Sequence, residues 1–415
     1  MDILKYFGKK MVEEPLVDKQ RIYFDYASIT PIDPATLRKA HEVVSASFYN
    51  PSSLYAEAVA SKAMIIEARK TIASFFNIQS DEIVFTGSGT EANNLAILGV
   101  FNGYKGKKIP HFVVSAIEHS SVLEACAEVE RLGGQVTYVL PEKDGTIDPK
   151  KVRAVLKPTT VLVSVMYANN EIGTIQPVCA VGRMIKEYRE QKDVDEQASD
   201  SGYPFFHTDA SQAPNYLQIH IGKLCADMVT LDSGKVYGPR STGLLAVRRH
   251  VSLHPIIFGG GQERGLRSGT ENVAAIVGFA EALTIAEKMR ESEGKRLIEL
   301  REYFETEIKK KFPEVIIHGE NSPRLPNITN ICLPGLDAEF AVIKLDQLGI
   351  MASSASACQS NAEENYSQTV AALPDIGETC KRSSLRFSMG RGTTKKHVEI
   401  LLKALEKTIL NCKNT

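Results

Sequence analysis

No apolar run in the 415 residues approaches the roughly 20 that a membrane-crossing helix needs. The first twenty residues, MDILKYFGKKMVEEPLVDKQ, mix acids and bases and lack an apolar stretch, so no secretory leader is expected and the address reads as cytoplasmic. Neither charge is in surplus. The 49 basic and 50 acidic residues leave a formal net charge of -1, which removes the electrostatic case for nucleic acid or a membrane surface as partner. Cysteines are few, and the seven at 126, 179, 225, 332, 358, 380 and 412 form no C-x-x-C and no Cys/His spacing. That argues against a zinc knuckle and against a disulfide framework, and predicts that most are small buried thiols.

What is present is globular: 43% hydrophobic and 24% charged residues, with glycine and proline scattered. The length predicts two domains. Between residues 21 and 250, short apolar runs at 83–85, 112–116, 136–140, 161–167, 204–207, 228–231 and 243–247 alternate with helical patterns such as 121–132 and 178–188. Continuously apolar strands alternating with helices predict a mostly parallel sheet covered on both faces. The stretch 271–311 reads as one long helix leading into a second unit. That unit holds a strand-like run at 327–333, a helix from Ala338, a strand at 384–388 and a last helix from Thr394. The reading is therefore α/β, with a large domain over 21–270 and a smaller α+β domain over 271–415 joined by 1–20. The polar stretch REQKDVDEQASDSG at 189–202 reads as a solvated insertion without a chemical role.

Five predicted strands each deliver a polar residue at or just past their carboxyl ends: Thr90, His119, Asn170, Asp209 and Lys235. Such ends face one crevice in a parallel sheet, so the five read as one site. The loop TGSGTEANN from Thr86 opens a helix, and its amides, Gly89 among them, with the Thr90 hydroxyl suit a phosphate. The plain alternative is a glycine turn with Thr90 as helix cap. Gly87-x-Gly89-x-x-Ala92 also fits a dinucleotide fingerprint, with Glu118 where a ribose-binding acid would stand. That reading, which predicts nicotinamide-cofactor binding, gives no task to Asp209, Lys235 or Cys358.

The ordered segments YFDYASITPIDP, NPSS, TGSGTEANNLAI, IEHSSVLEAC, ANNEIGTIQPV, HTDASQAPNYL, GKVYGPRSTGLL, GGGQERGLRSGTENV, SSASACQS and SSLRFSMGRGTT resemble the cysteine desulfurases. These are pyridoxal-phosphate (PLP) enzymes of the class V aminotransferase group, and the match spans about 21 to 400. The resemblance implies an aspartate-aminotransferase-like fold with a mostly parallel seven-stranded large domain. It implies conversion of L-cysteine to L-alanine, with a persulfide on Cys358 passed to a protein sulfur acceptor, for purposes such as iron–sulfur cluster assembly. It further implies that Lys235 links the cofactor and moves protons, that Asp209 pairs with the pyridine nitrogen, and that His119 covers the ring and serves in proton transfer. Gln212 and Asn170 would bond the ring oxygen and the substrate, and Arg386 would clamp the substrate carboxylate with its planar fork. Thr270 resembles a residue that reaches the partner's phosphate, which implies a homodimer with shared sites. Cys358 lies in ASSASACQSNAEEN, a small and polar stretch that suits a mobile loop.

The chain departs from the family where Ser-Gly-His-Lys is usual and Asp232, Ser233, Gly234 and Lys235 stand instead. Two phosphate donors are lost, at roughly 1.5–3 kcal/mol each. After a small backbone adjustment Ser233 could supply one replacement hydroxyl, and Gly234 a freer amide. Asp232 would repel a dianion unless it turned away. Weaker cofactor binding than in a typical member is expected. Tyr55 and Gly392 also depart, and the short tail after the last helix lacks the extension with which some members dock an iron–sulfur scaffold. A related PLP lyase acting on selenocysteine, or a non-catalytic paralogue serving as an interaction protein, are the alternatives.

Overall fold

The computed structural model describes residues 21–195, 202–354 and 367–413. In chain order its strands are β1 (Ile22–Tyr23), β2 (Ile83–Thr86), β3 (His111–Ser115), β4 (Gln135–Val139), β5 (Thr160–Ser164), β6 (Phe205–Asp209) and β7 (Met228–Asp232). They continue with β8 (Gly243–Val247), β9 (Ile316–Ile317), β10 (Ile328–Cys332), β11 (Ile350–Met351), β12 (Ser353–Ser354) and β13 (Ser384–Ser388). One sheet has seven strands in the order β2-β8-β7-β6-β5-β3-β4. Strands β3 to β7 run parallel, whereas β8 is antiparallel to β7, and β2 to β8.

Successive side chains of a strand point to opposite faces, and here each face meets its own core. Phe112 and Val114 pack with Leu95, Val100 and Val129 from the helices Gly89–Gly103 and Ser120–Arg131. Val113 between them packs with Ile72, Ile185 and Phe279 on the other side. Leu162 and Val163 divide in the same way. Burial on both faces is why these strands read as unbroken apolar runs. At the sheet's edge β4 escapes this cover, and Tyr138 is exposed.

The position of β3 places the crevice. It lies between β4 and β5, so the chain runs outward from β3 to β4 and then crosses back inward to β5. Connections diverge at such a reversal, which opens a cleft at the carboxyl ends of the strands.

The 39-residue helix Val273–Lys311 carries the chain out of this sheet. Its Phe279 and Leu283 belong to the large-sheet core, and its Leu297 and Phe304 to a second core with Leu385, Phe387, Leu401 and Leu405. That second core is faced by an antiparallel sheet in the order β12-β13-β10-β9. Strand β1 pairs with β11 there, which ties the segment from residue 21 to the C-terminal part of the chain. No helix among the described residues is long and apolar enough to cross a membrane.

Two expectations are corrected. Cys332 and Cys380 are joined in a disulfide across 48 residues of sequence. Cys332 ends β10 opposite Ser384 of β13, and the short helix Glu378–Arg382 just before β13 lays Cys380 over it. Strand pairing brings the two together, and no sequence spacing announces it. The stretch 189–202 is not wholly irregular either, because the helix Val178–Asp195 runs well into it. Arg189 on that helix pairs at 3.0 Å with the buried Asp227.

Candidate active site

A cavity of about 230 Å³ opens at the strand ends, lined among others by Thr90, His119, Asn170, Asp209, Gln212, Lys235 and Arg386. Each arrives by a local rule. Ser88 caps the helix Gly89–Gly103, its Oγ accepting from Glu91 N at 3.2 Å, so Ser88 and not Thr90 is the cap. Thr90 is thereby left facing the cavity.

His119 caps the helix Ser120–Arg131 with its own ring: Nδ1 accepts from Ser121 N at 3.1 Å. A nitrogen that accepts an amide proton carries none when the ring is neutral, so the proton sits on Nε2. Burial pushes the His119 pKa down, against the pull of Asp209, so the neutral ring is the ruling form at neutral pH.

Asp209 ends β6, 8% exposed. Its Oδ2 accepts from Asn93 Nδ2 at 2.8 Å and its Oδ1 from Ser211 N at 2.9 Å. The same Asn93 Nδ2 donates to Ser121 Oγ at 2.8 Å, which ties the Asp209 carboxylate to the His119 cap. Lys235 closes the one-turn 3-10 helix Ser233–Lys235 after β7. Its Nζ donates to Ala27 O at 3.0 Å and also to Ser28 O. Gln212 reaches the same turn, Nε2 donating to Ala27 O at 2.9 Å.

Arg386 projects from β13, 2% exposed, and donates to Asp25 Oδ1 at 2.8 Å, Ser28 Oγ at 2.7 Å and Asn170 O at 2.9 Å. A planar cation on a strand of one sheet thus meets a cavity built by the other. Asn170 lines that cavity, but its neighbour Asn169 does not. Asn169 is buried, donating to Ile117 O at 2.9 Å and accepting from Glu171 N and Ile172 N at 2.8 and 2.9 Å.

Ser233 is turned the other way. It is fully buried, its Oγ lies against Gly238 and has no hydrogen-bond partner among the described residues, and it does not line the cavity. The hydroxyl expected from it is therefore not offered, because Asp232 takes the cavity side of the tight turn. Ser211, not expected, lines the cavity instead. Thr270 is exposed and away from its own chain's cavity. Cys358 lies outside the described residues.

Asp232 does not turn away. Its Oδ2 accepts from Gly89 N and its Oδ1 from Gly234 N, both at 2.8 Å. The ribose role for Glu118 fails. That side chain is 4% exposed, its Oε1 receives Ser115 Oγ and Met166 N at 2.6 Å, and burial raises its pKa to about 8. Gly392 gains an account: a Cβ there would come within 3.0 Å of Tyr26 Oη. Tyr55 is half-exposed and meets Tyr49 edge to face.

The sequence pattern does not single out Asn93, Ser211 or Asp25. Asn93 carries a readable signal all the same, a polar residue on a helix face otherwise made of Ala92, Leu95 and Ala96.

The profile of the family described as "Aminotransferase class-V" matches residues 22–401. The chain is 37% identical over 393 residues to "Cysteine desulfurase IscS" of Dictyoglomus turgidum, covering 94% of this chain and 95% of that one. It is likewise 37% identical to "Cysteine desulfurase IscS 1" of Archaeoglobus fulgidus, over 93% of this chain and 96% of the relative. Among solved structures, a "NIFS-LIKE PROTEIN" superposes with a TM-score of 0.84 at 28% identity over 94% of this chain and 99% of its own. Another, "SspA in complex with cysteine", gives 0.73 at 31% identity over 88% of this chain and 98% of its own.

Proposed function

The chain belongs to the class V aminotransferase family and, within it, to the cysteine desulfurases; from that footing we propose that it uses PLP to take sulfur from L-cysteine. The products are L-alanine and a persulfide on Cys358, collected by a protein acceptor. One observation carries the reading: Lys235, Asp209 and His119, at or just past three strand ends of the large sheet, and Arg386, from the middle of β13 in the other sheet, line one cavity.

The residues present fit PLP at its ring end. Asp209, fixed from two sides by Asn93 and Ser211 N, is suited to hold the pyridine nitrogen's proton, and Lys235 presents an amine within the same cavity. His119 lines one wall with Nε2 as its remaining proton carrier, and Gln212 an adjoining part. Toward the phosphate, Thr90 and Ser211 offer hydroxyls, but the Gly89 amide is already bonded to Asp232. When bound, PLP supplies the electron sink that makes bonds at the substrate's α carbon breakable.

Arg386 would bind the substrate carboxylate, giving up contacts to Asp25 or Ser28 to do so. Lys235 would then move a proton at the α carbon, with Nε2 of His119 holding one nearby. Cys358 would attack the substrate sulfur, so the C–S electron pair stays with the three-carbon fragment that becomes alanine and the sulfur leaves on the thiol.

A homodimer belongs to the same reading. Phe48 and Leu54 are 87% and 95% exposed, and Val44, Tyr55 and Val59 beside them are also exposed, an apolar stretch that a partner surface would cover. Thr270, exposed and off its own chain's cavity, stands where a residue offered to a partner would. A second reading, a non-catalytic interaction protein, draws on the Asp232 contact with Gly89. Incubation with PLP and L-cysteine separates the two: alanine release supports the enzyme, and none at saturating cofactor supports the interaction protein.

A further inference from the structure

The amides of a glycine-rich loop at a helix start are the natural seat of a phosphate. Here two of them are engaged. Gly87 N donates to Glu91 Oε2 at 2.8 Å, and that carboxylate is in turn held by Arg267 at 2.8 Å. Gly89 N donates to Asp232 Oδ2, and across the cup Gly234 N donates to Asp232 Oδ1, both at 2.8 Å. One carboxylate therefore bridges the start of the Gly89 helix and the turn that carries Lys235, as two oxygens of a phosphate would.

We infer that Asp232 is a resident stand-in for the cofactor's phosphate, and that it sets how much PLP is needed to load the protein. The inference rests on the PLP reading above. Gly234 is the other half of the arrangement. A Cβ at 234 would lie 3.1 Å from Asp232 Oδ1 and 3.0 Å from Ile29 Cδ1, so a side chain there would press on both. The two departures at 232 and 234 thus fit each other: the aspartate fills the cup and the glycine leaves it the room. Gly89 serves the same fit, since a Cβ there would be 3.0 Å from Asp232 Cβ and 3.3 Å from Ser211 Oγ.

The physical consequence is competition. An arriving dianion gains the Gly89 and Gly234 amides only after the carboxylate has left them, and until then faces like charge at contact distance. The cofactor-free chain keeps both amides satisfied and needs no anion to complete it. The bonds that fix Asp209 and the His119 ring do not involve Asp232, so the direct competition falls on the phosphate.

The test compares apo wild type with D232S and D232N, both of which can still cap the turn after β7 as Asp232 does. Each protein is titrated with PLP, with pyridoxal, which lacks the phosphate, and with inorganic phosphate. The expected result is PLP affinity on the order of tenfold or more higher in both variants. Pyridoxal affinity should stay within about threefold, and inorganic phosphate should raise the melting temperature of the variants but not of wild type. Equal PLP affinity in all three overturns the inference. Alanine release at saturating PLP separates it from the reading beneath. Release with equal affinities removes the inference alone, whereas tight PLP binding by D232S without release removes the desulfurase reading and leaves the role of Asp232 standing.

Discussion

Arg386 and Asp25 are an ion pair of 2.8 Å that joins β13 to the turn after β1, on the side of the cavity where Asn170 also bonds the guanidinium. Phe24 and Leu385, the chain neighbours of these two residues, share the second core, so the pair lies within that unit, and Asn170 O reaches the guanidinium from the large domain. A carboxylate arriving there exchanges with groups already holding the fork.

Replacing Arg386 by lysine keeps the charge and removes the fork. The KM for L-cysteine should rise on the order of tenfold or more, with a smaller change in kcat, because a charge-assisted hydrogen bond is worth about 1.5–3 kcal/mol. Steady-state alanine formation over a range of cysteine concentrations measures both constants. An unchanged KM would remove Arg386 from substrate binding.

His207 is fully buried between Ser164 Oγ and Thr230 Oγ1, and burial lowers its pKa from 6.5 to about 4. A base lowered in this way keeps the folded chain unprotonated while the unfolded chain takes up a proton. The contribution of this residue is therefore complete above about pH 6.5 and falls as pH drops toward 4, by about 2 kcal/mol at pH 5. His111 and His318, also pushed down to about 4, add to this loss and Glu118 opposes it, so the test is a difference: between pH 7 and pH 5 urea unfolding should show wild type losing about 2 kcal/mol more than His207→Gln. A His207→Gln slope equal to wild type would refute the assignment.

Glu118 acts with the opposite sign. Its carboxyl is raised by burial from 4.5 to about 8, so the folded form holds a proton that the unfolded chain releases. Its contribution is favourable below about pH 4.5 and is eroded as pH rises to 8, by up to about 5 kcal/mol. Glu118→Gln, which still accepts from Ser115 and Met166, should gain on wild type steadily across that range. Parallel stability profiles for the two proteins would contradict it.

The disulfide predicts a stability effect as well. Closing 48 residues between Cys332 and Cys380 restricts the unfolded chain, and removing such a link costs about 2–4 kcal/mol. The C332A/C380A double variant should unfold at correspondingly lower urea. Thiol titration of unreduced, unfolded wild type should find two fewer thiols than the seven cysteines of the sequence. Seven reactive thiols would show that the bond is not formed.

Much of the large domain is legible in the amino-acid sequence itself. Strands β3, β5, β6, β7 and β8 are buried on both faces, which forces the unbroken apolar runs that announce them, and polar residues at their ends stand out against that background. Long-range pairing is not legible. Cys332 and Cys380 meet because β10 and β13 are partners, and Asp25 meets Arg386 for the same kind of reason. The expectation for Ser233 fails because a single tight turn decides which of two neighbours faces the cavity, and Asp232 takes that place. The sequence does place Asp232 as a charge close to the phosphate seat, but only the fold reveals which amides it binds.

The most direct test of the desulfurase account is incubation of the protein with saturating PLP and L-cysteine, following alanine and the mass of the peptide that contains Cys358. The account predicts alanine together with a one-sulfur gain on Cys358, both lost in Lys235→Ala, and with sulfur transfer lost in Cys358→Ser. Cofactor-saturated protein that yields no alanine, or yields it while Cys358→Ser transfers sulfur as well as wild type, would contradict it.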